Sequence, residues 1–191
     1  MRSALKIAGG IVIGFLALIS LGALCALAFD SLARSGSAPL PGIFPPGIPL
    51  SRAIPAAMGQ SIRRGDLLIT PRTYRLTGAY RSELGVEERP PAGAGFLWVL
   101  IVVENIGERV VDAPTVWDFY ILHKGVQLQA DSVFFEPPAM AAYRGGRAYP
   151  GGQEAGWLRF TVPARAQPED LLLVLRPFAG LREEAVWRLT P

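Results

Sequence analysis

The N-terminal part of the chain contains one long run of apolar residues. Residues 7–29 read IAGGIVIGFLALISLGALCALAF and contain no charged side chain. A helix of this length is about 35 Å long at about 1.5 Å per residue, and the hydrocarbon core of a bilayer is about 30 Å thick. Inside lipid the backbone must pair its own polar groups, which a helix does. The pattern therefore predicts a transmembrane helix over residues 7–29.

The charges that flank this run predict its orientation. Arg2 and Lys6 precede it, and Asp30 follows it directly. Positively charged flanks stay in the cytoplasm, so residues 1–6 are predicted to be cytoplasmic and everything after the helix extracytoplasmic. The sequence thus predicts a single-pass protein of the cell membrane that contacts the lipid bilayer through residues 7–29.

Several features of this segment leave alternatives open. Ala26-Leu27-Ala28 resembles the cleavage box of a signal peptide, although the run is longer than the roughly 7–15 residues of an ordinary signal core. Lipid attachment at Cys25 is a second alternative, which the bulky Leu24 before it disfavours. Gly10 and Gly14 form a GxxxG pattern that allows two helices to approach closely, but glycine is common in membrane helices in any case. Whether the segment is retained, cleaved or lipidated, the rest of the chain lies on the same side of the membrane.

Residues 30–59 form a proline-rich segment that is unusually apolar for a linker. Six prolines between residues 39 and 55 exclude a regular helix or an inner strand, so an extended, semi-rigid spacer is predicted. Ordinary linkers are polar because nothing buries them. We therefore expect the following domain, the lipid headgroups or a protein partner to cover the apolar side chains. The candidate interaction residues here are Ile43, Phe44, Ile48 and Leu50.

From residue 60 to residue 191 the pattern changes to short apolar runs separated by glycine and proline, which is typical of strands and turns. Residues 96–103 are eight consecutive apolar residues, as in a central buried strand. Residues 156–163 alternate, so Leu158, Phe160 and Val162 are predicted to share one face. Lys124-Gly125 predicts a tight hairpin. Further strands are predicted at residues 67–69, 74–76, 116–123, 126–129, 171–175 and 185–189.

These runs amount to about seven strands with no strong helix between them. Two antiparallel sheets that bury each other's apolar faces are the natural arrangement for such a pattern. The predicted fold class is therefore all-β, an immunoglobulin-like antiparallel β-sandwich of about seven strands, preceded by one N-terminal transmembrane helix.

Three motifs, taken in order, resemble a known family. They are VLIVVENIG at residues 99–107, WDFYILHKG at residues 117–125 and YPGGQEAGWLRFTVP at residues 149–163. With them the chain resembles a family of uncharacterised secreted and lipoprotein-associated immunoglobulin-like domains, similar to a mycobacterial secreted antigen. The resemblance implies a sandwich fold and an extracytoplasmic location. It implies no chemistry, because the family has no agreed catalytic residues.

Charge and composition exclude several function classes. The formal net charge is +3, but residues 60–191 contain 15 basic and 15 acidic side chains. A neutral domain lacks the electrostatic footprint of nucleic-acid binding, so no nucleic-acid partner is expected. Cys25 is the only cysteine, so the domain forms no internal disulfide and no cysteine metal site. Core packing must therefore hold it together.

The side chains that carry chemistry are scattered. His123 is the only histidine and has no His or Cys companion for a metal site or a triad, so a surface histidine is expected. Adjacent carboxylates at residues 87–88, 169–170 and 183–184 would point to opposite faces of a strand and are expected to be solvated charges at turns. We expect no enzyme activity, no cofactor and no metal centre, although calcium binding by oxygen ligands alone stays open.

One segment is rich in residue types found at protein interfaces. Residues 132–150 read SVFFEPPAMAAYRGGRAYP, and aromatic residues, Met and Arg are enriched in interface cores. Long loops in compact domains are often functional. The alternative is that the first aromatic residues form a further strand and that Tyr143 caps the core. The candidate interaction residues are Phe134, Phe135, Tyr143, Arg144, Arg147 and Tyr149.

Together these features favour a membrane-anchored, extracytoplasmic binding module. We expect an accessory subunit of a membrane or cell-surface complex, with the apolar linker and the aromatic segment as contact surfaces for a protein partner. A structural envelope or spacer protein is the first alternative. A secreted protein that binds a ligand after loss of its signal peptide is the second.

Overall fold

The computed structural model describes residues 54–133, 137–180 and 183–190, and these residues form strands joined by turns. Two single-turn 3-10 helices, Val116–Asp118 and Pro168–Asp170, interrupt them. The thirteen strands within the described residues are β1 (Ala56–Ala57), β2 (Ile62–Arg64), β3 (Leu67–Thr77), β4 (Tyr80–Arg81), β5 (Glu87–Glu88), β6 (Ala94–Asn105), β7 (Val111–Ala113), β8 (Phe119–His123), β9 (Val126–Asp131), β10 (Gly146–Ala148), β11 (Gln153–Pro163), β12 (Leu171–Leu175) and β13 (Ala185–Arg188).

Several predictions fall on residues outside these ranges. The helix predicted over residues 7–29, with its possible contact at Gly10 and Gly14, lies outside them. Within the described ranges no helix has the length and apolar character needed to cross a membrane. The candidate residues outside the described ranges are Ile43, Phe44, Ile48, Leu50, Phe134 and Phe135.

Nine of the described strands share one hydrogen-bonded order, β1-β13-β12-β8-β9-β11-β6-β3-β2. Strand β9 pairs with β8 from Val126 to Gln129 and with β11 at Ala130 and Asp131, so it passes from one layer to the other. The ladders are antiparallel except the short parallel one between β1 and β13. The other described strands form two small ladders, β4 with β5 and β7 with β10.

The two layers bury a common apolar core. Strand β6 lies between β3 and β11 and pairs with both along nearly its whole length. Its inward residues meet those of β12 from the opposite layer in one buried cluster. Leu158, Phe160 and Val162 of β11 all belong to this cluster, as their alternation predicts. The all-β sandwich is therefore confirmed, with more strands than the seven or so expected, because short edge strands carry no strong hydrophobic pattern.

Two local features follow directly from the sequence. Pro71 has no N–H to donate, and the β3–β6 ladder shifts register between Pro71 and Thr73, where a β-bulge is expected. Lys124 and Gly125 have φ angles of 50° and 83°. Positive φ at both central residues matches the twist of a two-residue hairpin, and the predicted connection between β8 and β9 is confirmed.

The strand predicted over residues 116–123 is wrong in its first three residues. They form a 3-10 turn because the Asp118 side chain competes with strand pairing. Its Oδ2 accepts hydrogen bonds from the Thr115 backbone N at 2.6 Å and from Thr115 Oγ1 at 2.9 Å. The turn leaves Trp117 on the surface, with 56% of its area exposed.

The sandwich begins earlier than the boundary predicted at residue 60. Ala56 pairs with Trp187 in the β1–β13 ladder, and Met58 packs against the core. The indole Nε1 of Trp187 donates to the Gln60 carbonyl at 2.9 Å. A two-residue edge strand carries no periodic signal, and only its pairing partner identifies it.

Tyr143 belongs to the core and not to the surface, which corrects its choice as an interaction residue. It is 2% exposed, its hydroxyl donates to the Pro114 carbonyl at 2.7 Å, and burial raises its pKa above the ordinary value of 10.0. The Tyr143 N–H donates to the Trp157 carbonyl at 3.0 Å. Gly156 permits this approach, because a Cβ there would lie 2.5 Å from Tyr143 Cα.

We expect Tyr143→Ala to lower the free energy of unfolding by about 3–5 kcal/mol, because it leaves a cavity in a packed core. Tyr149→Ala is the matched control. Tyr149 is 62% exposed, so its loss should change stability by less than about 0.5 kcal/mol. Chemical denaturation of the full chain in mild detergent, followed by near-ultraviolet circular dichroism, measures both. Equal, small losses for the two variants would contradict the buried position of Tyr143.

Candidate functional site

A single buried amide organises the loops at one end of the sandwich. Asn105, the last residue of β6, is completely buried. Its Nδ2 donates to the carbonyls of Arg109 and Ala148 at 2.7 and 2.9 Å, and its Oδ1 accepts from Gly107 N at 2.9 Å. The Asn105 backbone also bonds to Gly151 and Gly152. The loop after β6 and the loop before β11 are therefore tied to one residue, through its side chain and its backbone.

Two cavities open at this end, and Arg147 lines both. The larger has a volume of about 610 Å³ and includes Arg64, Asp66, Val110 and Phe178 in its wall. The smaller, of about 150 Å³, is lined by Tyr149 and Glu154 among others. Arg147 lies in β10, opposite Asp112 of β7. The β7–β10 ladder thus places one exposed arginine between two concave surfaces.

Exposed apolar side chains lie on the loops around these cavities. We call Ile106, Val110, Arg147 and Tyr149 the Arg147 face. Ile106 and Val110 follow Asn105, and Tyr149 follows β10; all three rank among the large apolar residues left exposed. The structure thus brings together Arg147 and Tyr149, two of the predicted interaction residues.

Arg144 lies at a different place from Arg147. It lines a groove of about 260 Å³ together with Trp117, Trp157 and Asp131. We call this site the tryptophan groove. Glu154 positions the backbone beside it, because its Oε1 accepts from the N–H groups of Arg144 and Gly145 at 3.2 and 3.0 Å. The described residues of the predicted segment 132–150 are therefore divided between the core and two surface sites.

A polar and aromatic cluster lies beside the tryptophan groove on the outer face of β6 and β11. Arg159 donates from Nε to Asp131 Oδ2 at 3.3 Å and from Nη1 to the Tyr80 hydroxyl at 2.8 Å. Its guanidinium lies 4.9 Å from the Phe96 ring centre, and Tyr80 packs edge-on against Trp98. Burial raises the pKa of Tyr80, although the nearby Arg159 partly opposes this shift. The cluster fixes Asp131 at the edge of the groove.

The carboxylate pairs are mostly solvated, as predicted, with one exception. Glu87 and Asp170 form exposed ion pairs with Arg89 and Lys124. Glu184 instead is half-buried and accepts a hydrogen bond from Tyr120 at 3.3 Å. Burial first, and then this carboxylate, raises the pKa of Tyr120 to about 12. Glu184 therefore contributes to a partly buried polar contact and is not a fully solvated charge.

His123 lies at the end of β8 and is half-buried, not on the open surface as expected. Its Nε2 is buried and makes no hydrogen bond with the described residues. Within the part of the chain that the structure describes, no three His, Cys, Asp or Glu side chains are grouped as metal ligands.

Sequence reasoning missed Trp117, Trp157 and Asp131 as candidate site residues. A local signal for Trp117 was present, because Thr115 and Asp118 have the spacing of a capping box, which predicts a turn where a strand was expected. Trp157 and Asp131 gave no such signal. They come from different strands, and only the pairing of β9 with β11 brings them to one groove.

Comparison with known proteins supports the fold. No protein-family model matches the sequence, and no curated protein matches it either. The solved structure of the yjhA protein from Bacillus subtilis superimposes with a TM-score of 0.54 at 15% identity, over 71% of this chain and 99% of that one. The predicted resemblance is confirmed as a likeness of fold.

Two further solved structures are similar at lower scores. The secreted protein MPT63 from Mycobacterium tuberculosis has a TM-score of 0.45 at 16% identity, over 71% of this chain and 98% of that one. An uncharacterised β-sandwich protein from Clostridium difficile 630 has a TM-score of 0.46 at 9% identity, over 75% of this chain and 100% of that one. Neither carries information about what this chain binds.

We expect Asn105→Asp to lower the free energy of unfolding by about 3 kcal/mol. The substitution replaces the Nδ2 donor with an oxygen that faces the carbonyls of Arg109 and Ala148, and buried unpaired acceptors are costly. Gln127→Glu is the control, because this amide is exposed and accepts a hydrogen bond from the exposed Arg176 side chain, which a carboxylate can also accept. Denaturation gives the stability, and hydrogen exchange should show faster exchange at the Gly107 and Gly151 amides. An Asp variant with wild-type stability and exchange would contradict the role given to Asn105.

Proposed function

We propose that this chain is an extracytoplasmic interaction module, anchored by one N-terminal helix, that binds a protein partner through the Arg147 face. The partner would belong to a membrane or cell-surface assembly of which this chain is an accessory subunit. The position of Arg147 between two cavities, with Tyr149 exposed beside it, carries this proposal.

The residue types of the Arg147 face suit a protein interface. Tyr and Arg dominate the binding energy of many interfaces when they lie beside concave surfaces. The cavities offer space for side chains of a partner, and the exposed Val110 and Ile106 supply apolar area around them. The larger cavity contains two arginines and two aspartates. This balance of charge favours a partner protein whose surface carries both positive and negative groups over a polyanion.

Hydrogen bonds within the domain hold the backbone of the Arg147 face in place. Asn105 fixes both loops, and the β7–β10 ladder fixes the backbone of Arg147. Binding then requires little ordering of loops, which lowers the entropic cost of association. A spacer protein would have no need for such preorganisation, and this favours the interaction module over the structural alternative.

The location rests on the N-terminal sequence. The apolar run of residues 7–29 is long enough to cross a bilayer, and the cations before it favour a cytoplasmic N-terminus. The domain would then face the extracytoplasmic side. A secreted form with the run removed would place the Arg147 face on the same side of the membrane.

To test the anchor and its orientation, a reporter that is active only outside the cytoplasm is fused after Pro191. We expect activity in the membrane fraction, because the helix would translocate the domain and then hold it. Exchange of Arg2 and Lys6 for Glu should reduce the reporter activity in the membrane fraction. Activity in the culture medium would indicate cleavage, and activity of a cytosolic reporter alone would refute the topology.

To test the interaction, the full chain is purified gently from its native membrane and the proteins recovered with it are quantified. We expect one partner at a fixed stoichiometry. The double variant Arg147→Ala, Tyr149→Ala should reduce its recovery at least tenfold, since hot-spot residues carry most of the binding energy.

Val126→Ala is the control for this experiment, because Val126 is equally exposed on the β8–β9 hairpin and lines neither cavity. Its recovery of the partner should equal that of the wild type. A chain that purifies alone, or a partner retained in full by the double variant, would refute the proposed interface.

A further inference from the structure

We infer that the tryptophan groove binds a neutral pyranose unit of a glycan. The groove shares no lining residue with the cavities of the Arg147 face. The inference is therefore independent of the proposed protein partner. It rests on the rings, the hydrogen-bonding groups and the charge that converge in one small concave site.

The first wall of the groove is an exposed indole on a fixed backbone. Trp117 lies in the middle of the 3-10 turn, and the two hydrogen bonds from Thr115 to Asp118 lock that turn. More than half of the residue's area is open to water. Tryptophan combines a large apolar area with an electron-rich face, so an exposed and immobilised indole is suited to stack against C–H groups.

The second aromatic residue of the groove is held just as firmly. Trp157 lies on the outer side of β11, where its backbone bonds to Ala141 and Tyr143. The guanidinium of Arg75 lies 5.6 Å from the centre of its ring. Because Arg75 occupies a position over this ring and the backbone is paired, Trp157 forms a fixed wall and not a mobile flap.

The polar groups of the groove are oriented for hydroxyl groups. Asp131 Oδ2 accepts from Arg159 at 3.3 Å and from Thr161 at 2.9 Å, which fixes the plane of the carboxylate. Its Oδ1 accepts no hydrogen bond from the described residues, and the side chain is 29% exposed. A preoriented acceptor of this kind fits an O–H donor on a ligand.

The charge of the lining argues for a neutral ligand. Asp131 and Arg144 line the groove with one charge of each sign. The lining therefore carries no net charge, and neither an anion nor a cation meets an excess of opposite charge in it. An apolar or proline-rich peptide would cover the Asp131 carboxylate without supplying a donor, which is costly. A pyranose has an apolar C–H face, hydroxyl groups at its edge and no net charge, so it satisfies all three conditions.

The size of the groove agrees with this class of ligand. Its volume of about 260 Å³ lies just below the range of about 300–1,000 Å³ found for drug-sized ligands. It therefore suits one sugar ring at a time. A longer glycan would extend along the exposed surface on either side.

The test uses the full chain in lipid nanodiscs, because glycoside detergents would compete for the groove. Cellotetraose and chitotetraose are titrated while tryptophan fluorescence is recorded. Trp98 and Trp187 are completely buried, so a ligand-induced change reports mainly on Trp117 and Trp157. We expect saturable binding of at least one sugar with a Kd below about 1 mM. Trp117→Ala should weaken it at least tenfold, and Trp117→Phe, which keeps a ring, should weaken it less.

The controls separate this site from the Arg147 face. The double variant Arg147→Ala, Tyr149→Ala should bind the sugar as the wild type does. No binding, or a Kd weaker than about 1 mM for both sugars, would overturn the inference. Binding that persists unchanged in Trp117→Ala would also overturn it. So would tighter, Trp117-dependent binding of decaproline, which would identify a peptide groove instead.

Discussion

The structure depends on the two-sided pairing of β6. This strand bonds to β3 on one edge and to β11 on the other over nearly all of its residues. Its inward side chains form the common core, and its outward residues Phe96 and Trp98 are covered by Tyr80 and Arg159. A strand buried on both faces has no room for polar positions, which explains why residues 96–103 are apolar without alternation. The covered residues of β6 are therefore not available for binding.

The sequence was sufficient for the fold wherever hydrophobic pattern alone decides structure. Three patterns are each compatible with one type of local structure. They are the continuous apolar run in β6, the alternation in β11 and the Lys124-Gly125 turn. Prediction failed where a local side chain, or pairing with a strand distant in sequence, determines the backbone structure. Asp118 bends residues 116–118 into a turn, and β1 exists only because β13 offers it an edge.

Only part of the candidate surface was predictable, for a related reason. Composition selected Tyr143 and Tyr149 equally, since both are tyrosines in one glycine-rich segment. Gly156 lets the backbone at Tyr143 approach β11 closely, and the Pro114 carbonyl accepts a hydrogen bond from the Tyr143 hydroxyl. Tyr143 is therefore buried. No described residue accepts a hydrogen bond from the Tyr149 hydroxyl, and this side chain stays exposed. Residue type identifies what a side chain would do at an interface, and the packing of its neighbours determines whether it reaches one.

Both surfaces are supported by buried polar contacts, in a domain that has no cysteine of its own. Asn105 holds the loops of the Arg147 face, and the Arg159–Asp131 pair holds the edge of the tryptophan groove. The two side chains of this pair are only 14% and 29% exposed. A largely buried ion pair loses hydration and adds little net stability compared with apolar residues of similar volume. The role of this pair is therefore to orient the Asp131 carboxylate, and not to raise the free energy of unfolding. The same holds for Asn105, whose three side-chain bonds would be unnecessary if the loops it joins only had to connect strands.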